Sequence, residues 1–317
     1  MKEDIETAKL KTESGLSATI HSLGATLAEL WVPTPNGPVN VVLNYPDAEA
    51  YRGDRYYVGS TVGRFANRIE NAKIRIDGVD YQLDANEEAS GHCLHGGVDG
   101  LHKRVWKLAA SDNDRKLTCS HRSLDGSAGF PGNVDIQVIY QLLNDHMLAI
   151  DFFATSDKET VLSLATHSYF ECQGPGKSID DLELKLFADS YTPVNSSLIP
   201  TGEILPVAGT RFDFRESRAL GGEACDINFV VDGAEHTLRP AAEVCSRETG
   251  IKFRVHTTQA GLQFYTGDYL DAPFRPRQGF CLEAQSFPNA PNVAAFPSAR
   301  LSPGGRYQQR TVYEFFF

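Results

Sequence analysis

Apolar and polar residues alternate along many short stretches of this chain, with the two-residue period that is typical of half-buried β-strands. The alternation in Lys73–Ile76 stops at Asp77-Gly78 and resumes from Tyr81 to Leu83. Because Asp-Gly favours the tight turn that joins two antiparallel strands, this stretch predicts a β-hairpin. The same alternation predicts a second hairpin at 134–142 with 148–152, and further strands at 161–170, 182–187, 251–256, 262–265, 280–285 and 313–316.

The turn residues between these stretches favour an all-β fold. No segment keeps a helical period for three clean turns, and the strand-helix alternation of a doubly wound sheet is missing. The 27 glycines and 16 prolines divide the chain into short strands, which is typical of an antiparallel sandwich or a closed barrel. We find neither an internal repeat nor a long linker, so we expect a single domain over residues 1–317.

Charge and cysteine content narrow the class of function. The chain has 41 acidic and 30 basic residues, and its net charge of −11 argues against nucleic acid and anionic lipid as partners. No apolar stretch reaches the roughly 18 residues of a membrane span, and the acidic start, Met1 to Glu6, does not resemble a secretory signal. The six cysteines form no Cys-x-x-Cys pair, which predicts free, buried or half-buried thiols in a cytoplasmic protein.

Two motifs in the first third of the chain carry residues suited to a polar ligand. In residues 63–69, Arg68 could donate paired hydrogen bonds to sugar hydroxyls or to a carboxylate, and Asn67 beside it could donate and accept hydrogen bonds. A solvated surface turn has the same sequence pattern. In residues 92–97, His95 precedes two glycines, which suits either an organic ligand or a structural loop. We expect no metal here, because zinc sites need three or four ligands at a recognisable spacing.

Two later motifs carry residues suited to proton transfer. His167 lies in a predicted strand, where a histidine is either a satisfied core residue or an acid and base near neutral pH. Glu283 lies inside the short apolar strand 280–285, where a carboxylate is unfavourable unless it is paired or functional. Asp226 and Gln263 are further polar residues in apolar strands, and each alone is more typical of a structural role.

Taken together and in this order, these segments resemble the aldose 1-epimerase (galactose mutarotase) family. The resemblance extends from about residue 58 to the C-terminus. One such motif would be weak evidence, but ten in register are specific. The matching segments are GRFANRI, IRIDGVDYQL, LHGGVDGLHKRVW, GFPGNVDIQVIY, THSYF, YTPVNSSLIPTGEILPVAGTRFDFR, DINF, GLQFYTGDYLD, CLEAQSFPNAPN and LSPGGRYQQRTVYEF.

The resemblance implies a large antiparallel β-sandwich of the galactose mutarotase-like type, with few short helices and a sugar-binding cleft. It implies interconversion of the α and β anomers of a free aldose without a cofactor, so the expected partner is a monosaccharide. We expect the chain to be a monomer or a homodimer. By motif, Glu283 matches the general base and His167 the general acid. The residues that match positions holding the sugar are Asn67, Arg68, His95, Asp226 and Gln263.

Three departures from the family pattern leave the preferred sugar open. Thr166 stands where the family usually has Asn, Ile227 where it commonly has His, and Glu171-Cys172 where it has Asn-Leu. An altered neighbour changes which hydroxyls find partners. Two other functions also stay open: a glycoside hydrolase that uses Glu283 and Asp226 as paired carboxylates, and a catalytically silent sugar-binding protein.

The two proton-transfer roles predict a bell-shaped pH dependence. Unperturbed Glu and His titrate near ~4.3 and ~6.5, so Glu283 would set the acid limb and His167 the alkaline limb. Burial should raise the pKa of Glu283. For His167, burial would lower the pKa and a nearby carboxylate would raise it, and the sequence leaves that balance open.

Overall fold

The computed structural model describes residues 3–111 and 114–317, so Met1 and Lys2 of the acidic N-terminal segment lie outside the described residues. The described residues contain no α-helix and only short 3-10 turns, at Glu49–Gly53, Glu70–Ala72, Leu101–Lys103, Ser127–Gly129 and Ala290–Asn292. None of these is long and apolar enough to cross a bilayer.

The strands, numbered along the described residues, are β1 (Thr7–Lys11), β2 (Ser17–His21), β3 (Thr26–Val32), β4 (Val39–Asn40), β5 (Thr61–Val62), β6 (Arg68–Ile69), β7 (Lys73–Ile76), β8 (Val79–Gln82), β9 (Cys93–Leu94), β10 (Lys107–Ala110), β11 (Lys116–Ser123), β12 (Val134–Asn144), β13 (Met147–Ser156), β14 (Thr160–Val161), β15 (Ala165–Thr166), β16 (Tyr169–Phe170), β17 (Glu183–Leu186), β18 (Ser190–Thr192), β19 (Leu205–Pro206), β20 (Arg218–Ala219), β21 (Asp226–Val230), β22 (Arg239–Cys245), β23 (Lys252–Thr257), β24 (Gly261–Tyr265), β25 (Phe280–Gln285), β26 (Arg300–Leu301) and β27 (Tyr307–Phe316).

Two large sheets form an antiparallel β-sandwich. The larger sheet has nine strands in the order β10-β11-β12-β13-β27-β23-β22-β17-β20, and the smaller has six in the order β16-β25-β24-β21-β18-β19. A four-stranded sheet, β1-β2-β3-β4, contributes apolar side chains to the same core. The C-terminal strand β27 lies in the middle of the nine-stranded sheet, between β13 and β23.

The core lies between the nine-stranded and the six-stranded sheets. Alternation along β25 sends Phe280 and Leu282 into this core, where both are buried. Phe170 of the six-stranded sheet meets Phe253 and Tyr313 of the nine-stranded sheet, with ring centroids 4.8 and 5.2 Å apart. Each buried aromatic ring contributes about 1.5–3 kcal/mol, so these contacts fix how the two sheets face each other.

Most of the predicted strands are confirmed, including both hairpins, β7–β8 and β12–β13. The single strand expected at 161–170 is wrong, because this segment changes partners twice and forms β14, β15 and β16 against β26, β5 and β25. His167 therefore lies between strands. Its backbone N–H donates to Ser60 O, and its carbonyl accepts from Gly59 N.

The cysteines agree with the expectation of free thiols. All six are free; Cys245 is half-buried, and the other five are buried.

Arg64 is a buried cation that joins three segments and forms no ion pair with a carboxylate of the described residues. Its side chain is only 2% exposed. The guanidinium donates to Ser123 Oγ at 2.9 Å and to three carbonyl oxygens, of Ser123, Leu124 and Pro131, at 2.6–3.0 Å. Burial lowers the pKa of Arg64 to about 10, so the side chain stays charged at neutral pH.

We predict that Arg64→Met destabilises the fold by about 3 kcal/mol, because it removes the Arg64 donor from the buried carbonyls of Ser123 and Pro131 and from the Ser123 hydroxyl. The free energy of unfolding from urea titration measures this. Arg75→Met is the matched control, since the Arg75 side chain is 69% exposed and its loss should change stability by less than about 0.5 kcal/mol. Equal stability of the two variants would contradict the role given to Arg64.

Candidate active site

The face of the six-stranded sheet that points away from the core carries rows of polar side chains. Residues directly opposite on antiparallel strands point to the same face. In one row Asp226 is opposite Tyr265, which is opposite Cys281; in the next, Gln263 is opposite Glu283. The alternation that buries Phe280 and Leu282 on the other side thus builds the floor of a site.

A buried acid–base pair lies on this floor. Nε2 of His167 is 3.7 Å from Oε1 of Glu283, and the two side chains are 5% and 2% exposed. The other carboxyl oxygen of Glu283, Oε2, has no hydrogen-bond partner among the described residues. The ring of His95 stands perpendicular to that of His167, with centroids 4.9 Å apart.

His95 is held as a hydrogen-bond donor. The backbone N–H of Asn67 donates to Nδ1 of His95 at 3.2 Å, and the backbone N–H of His95 donates to Asn67 O at 3.1 Å. An imidazole nitrogen that accepts a hydrogen bond carries no proton, so the neutral ring keeps its proton on Nε2. Asn67 and His95 both have left-handed backbones, with φ of 66° and 52°. Asn67 directly precedes β6 and His95 directly follows β9, so each residue turns the chain next to a short strand.

Arg68 lies in a network of acidic groups. Its guanidinium contacts both Glu87, at 3.0 Å, and Asp226, at 3.4 Å. Gln263 Nε2 donates to the other oxygen of Asp226 at 2.5 Å. Asp226 is thereby fixed from two sides.

Burial shifts the pKa values of Glu283 and His167 in opposite directions. It raises the pKa of Glu283 well above its ordinary value; Asp226 raises it further and Arg68 opposes the shift. Burial lowers the pKa of His167 to about 4, which settles the balance that the sequence leaves open. Burial thus disfavours the charged form of both groups, which favours a protonated carboxyl group beside a neutral imidazole over an ion pair.

These groups line a cleft of about 360 Å³, a size that suits a small polar ligand. Six of the seven residues selected from the sequence lie on its wall; the exception is Gln263, which lies behind Asp226. The cleft wall consists of Arg55, Tyr56, Tyr57, Asn67, Arg68, Glu87, Leu94, His95, His167, Tyr169, Leu198, Asp226, Tyr265, Tyr269 and Glu283.

Sequence reasoning missed several residues of this wall. Glu87 lies beside Glu88 in an acidic pair that is typical of a solvated loop, yet it forms an ion pair with Arg68. Tyr57, with a φ of 61°, packs its ring 4.6 Å from that of His95. Only contacts between residues that are far apart in the sequence show that Glu87 and Tyr57 belong to the cleft wall. His92, by contrast, lies outside the cleft wall, and its Nδ1 accepts from the backbone of Asn71 at 3.0 Å.

One group of possible metal ligands occurs within the described ranges. It consists of His95, His167 and Glu283, whose candidate ligand atoms lie within 4.8 Å of one another. Because Asn67 donates to Nδ1 of His95, Nε2 of that ring carries a proton and cannot coordinate an ion without losing it. The donor set therefore does not fit a resident metal.

Comparison with known proteins agrees with this geometry. The chain is 36% identical over 318 residues to galactose mutarotase from Homo sapiens, covering 95% of this chain and 91% of that protein. It is 33% identical over 327 residues to aldose 1-epimerase from Escherichia coli K12, covering 96% and 94%.

Solved structures share the fold along the whole chain. The GalM/aldose epimerase homologue from C. elegans superposes with a TM-score of 0.92 at 29% identity, and galactose 1-epimerase from Lactobacillus acidophilus with 0.85 at 25%; each match covers 99% of both chains. The family described as aldose 1-epimerase matches residues 6–314. The chain belongs to the aldose 1-epimerase family.

Proposed function

We propose that this protein is an aldose 1-epimerase, or mutarotase, that interconverts the α and β anomers of a free aldose such as galactose or glucose. The observation that carries the proposal is the buried pair of His167 and Glu283, 3.7 Å apart in a cleft of monosaccharide size. Membership of the family supports the same reaction. No observation favours a glycoside hydrolase or a silent sugar-binding protein.

The proposed mechanism uses the pair as base and acid. Opening a cyclic hemiacetal requires a proton to leave the C1 hydroxyl and another to reach the ring oxygen. Glu283, ionised, takes the first, and His167, protonated, gives the second. This working form holds one proton in total, as does the neutral pair, so sugar binding needs only to move a proton between the two groups. The open aldehyde then rotates about C1–C2 and closes with the roles reversed.

The proposed binding residues orient the sugar. Arg68, held by Glu87 and Asp226, presents hydroxyl-binding donors, and His95 donates from Nε2. Asn67 completes this wall of the cleft. The contact at 2.5 Å supports a different task for Gln263: it fixes Asp226 rather than the sugar. Such positioning of the sugar raises the rate beyond what proton transfer alone contributes.

We further propose a cytoplasmic location, a monomeric or homodimeric state and a single domain. The six free cysteines support the location, because an oxidising compartment favours disulfides.

We predict that Glu283→Gln lowers mutarotation by at least ~10²-fold while sugar binding persists, because the amide keeps the shape and loses the base. His167→Asn should behave in the same way. Polarimetry of freshly dissolved α-galactose and α-glucose measures the rate, and calorimetry measures binding. Glu216→Gln and His236→Asn, both at exposed positions, are matched controls. Near-normal turnover in Glu283→Gln, or a rise in KM alone in His167→Asn, would contradict the roles.

We predict a bell-shaped dependence of kcat/KM on pH. The two limbs are assigned in the opposite order from that given by the unperturbed pKa values: His167 sets the acid limb and Glu283 the alkaline limb. The active pair holds one proton, so the acid limb reports a second proton binding His167, whose pKa is about 4. The alkaline limb reports loss of the proton from Glu283, whose pKa is raised. His167→Asn should therefore lose the acid limb and Glu283→Gln the alkaline limb, measured on the remaining activity. Persistence of both limbs in both variants would refute the assignment.

We predict that the enzyme needs no metal, because the hydrogen bond from Asn67 keeps His95 from acting as a ligand. Dialysis against a strong chelator should leave the polarimetric rate unchanged. Loss of activity that one added metal restores is the opposite result.

A further inference from the structure

Tyr57 is a residue of the cleft wall to which the proposed mechanism gives no role. The centroid of its ring lies 4.6 Å from those of His95 and His102 and 5.7 Å from that of His167. Its backbone is left-handed, with a φ of 61°, and its carbonyl accepts from both the N–H and the hydroxyl of Ser60. A left-handed backbone is uncommon for an aromatic residue, and such residues cluster at functional sites.

The side-chain amide of Asn86 fixes how the hydroxyl of Tyr57 is used. Oδ1 of Asn86 accepts from the backbone N–H of Leu94 at 2.7 Å, and Nδ2 donates to Leu94 O at 2.9 Å. These two bonds permit only one orientation of the amide. Nδ2 also donates to the hydroxyl oxygen of Tyr57 at 3.3 Å. The oxygen of Tyr57 is therefore an acceptor in this bond, and its own proton points to another group.

That proton has no acceptor among the residues that the structure describes, where Asn86 is the one hydrogen-bond partner of the hydroxyl. Burial raises the pKa of Tyr57 above its ordinary value and the charge of Glu87 raises it further, so the proton stays on the oxygen at neutral pH. Glu87 is also the ion-pair partner of Arg68 in the wall of the cleft. The hydroxyl of Tyr57 is thus a free donor near the groups that are proposed to hold the sugar.

A sugar hydroxyl that does not react is the acceptor that fits this donor. A hydroxyl oxygen can accept from one group while it donates to another. In the proposed mechanism the C1 hydroxyl and the ring oxygen belong to Glu283 and His167, whereas the hydroxyl of Tyr57 lies beside Asn86 and near Glu87. The bond from Tyr57 therefore goes to the hydroxyl at C2, C3, C4 or C6.

We propose that Tyr57 is a further sugar-binding residue: its hydroxyl donates to one non-reacting hydroxyl of the aldose and so helps to select the sugar. The inference rests on the proposed mutarotase function and adds one contact to the same site. When the ligand lacks the matching hydroxyl, a half-buried donor is left unpaired. Such a contact therefore discriminates against the corresponding deoxy sugar.

The test compares Tyr57→Phe with the wild type by polarimetry of galactose. Phenylalanine keeps the ring among the histidines and removes only the hydroxyl. We expect kcat/KM to fall by about 5- to 10-fold, as for one hydrogen bond, with most of the change in KM because the contact is the same before and during the reaction. A value within ~2-fold of the wild type overturns the proposal.

Tyr81→Phe is the matched control. Tyr81 is half-buried like Tyr57, but it lies on β8, outside the cleft wall. Loss of its hydroxyl should leave kcat/KM within ~2-fold of the wild type, because it removes no contact with the sugar.

The second readout uses the four monodeoxy analogues of galactose, which lack the hydroxyl at C2, C3, C4 or C6. For the hydroxyl that Tyr57 contacts, the loss of kcat/KM caused by its removal should shrink by ~5-fold or more in Tyr57→Phe, because the variant has already lost the same bond. The losses for the other three analogues should not change. Losses that are additive for all four analogues assign Tyr57 to packing against the histidines and overturn the proposal.

Equilibrium binding distinguishes failure of this proposal from failure of the proposed function. Calorimetry in the Glu283→Gln background, with and without Tyr57→Phe, measures the affinities for galactose and the four analogues without turnover. If the wild type does not accelerate the change in optical rotation, the proposed function fails, yet the same coupling in the affinities supports the contact with Tyr57. Affinities that couple for none of the analogues, or no binding of galactose, contradict it.

Discussion

The carboxyl group of Glu283 and the imidazole of His167, buried side by side, form the constraint on which the site depends. Burial disfavours charge on both groups, so the pKa of Glu283 rises and that of His167 falls. In the cleft, burial therefore favours a neutral pair over an ion pair. A polar sugar replaces part of the lost solvation, and the proton can then move to the arrangement that opens the ring.

The sandwich makes this burial possible. Alternation along β25 gives one face to the core and the other to the cleft, so the apolar contacts of Phe280 and Leu282 position Glu283. The nine-stranded sheet covers the apolar face through aromatic contacts, and the cross-strand register aligns Gln263 with Glu283. The position of Glu283 thus comes from regular strand geometry, while the proposed binding residues Asn67 and His95 lie in left-handed turns beside short strands.

The long strands of the fold could be predicted from the sequence, because β12 alternates between buried and outward residues and large apolar residues recur at every second position of β13 and β25. The segment 161–170 could not, since its short strands pair with three different partners. The family motifs pointed to the residues of the cleft, but the pairing of Arg68 with Glu87 depends on folding. Which of Glu283 and His167 has the higher pKa also depends on how deeply each is buried, and the local sequence pattern does not reveal that burial. The expectation of a single domain stays a prediction.

The most direct measurement of the central claim is the infrared difference spectrum at neutral pH between the wild-type protein and Glu283→Gln. A protonated carboxyl group absorbs as a carbonyl stretch that is distinct from the stretches of a carboxylate. If the pair holds its proton on Glu283, the wild type must show a protonated carboxyl band that the variant lacks. A difference spectrum that shows only carboxylate bands would mean that Glu283 is ionised in the empty cleft, which contradicts the neutral pair.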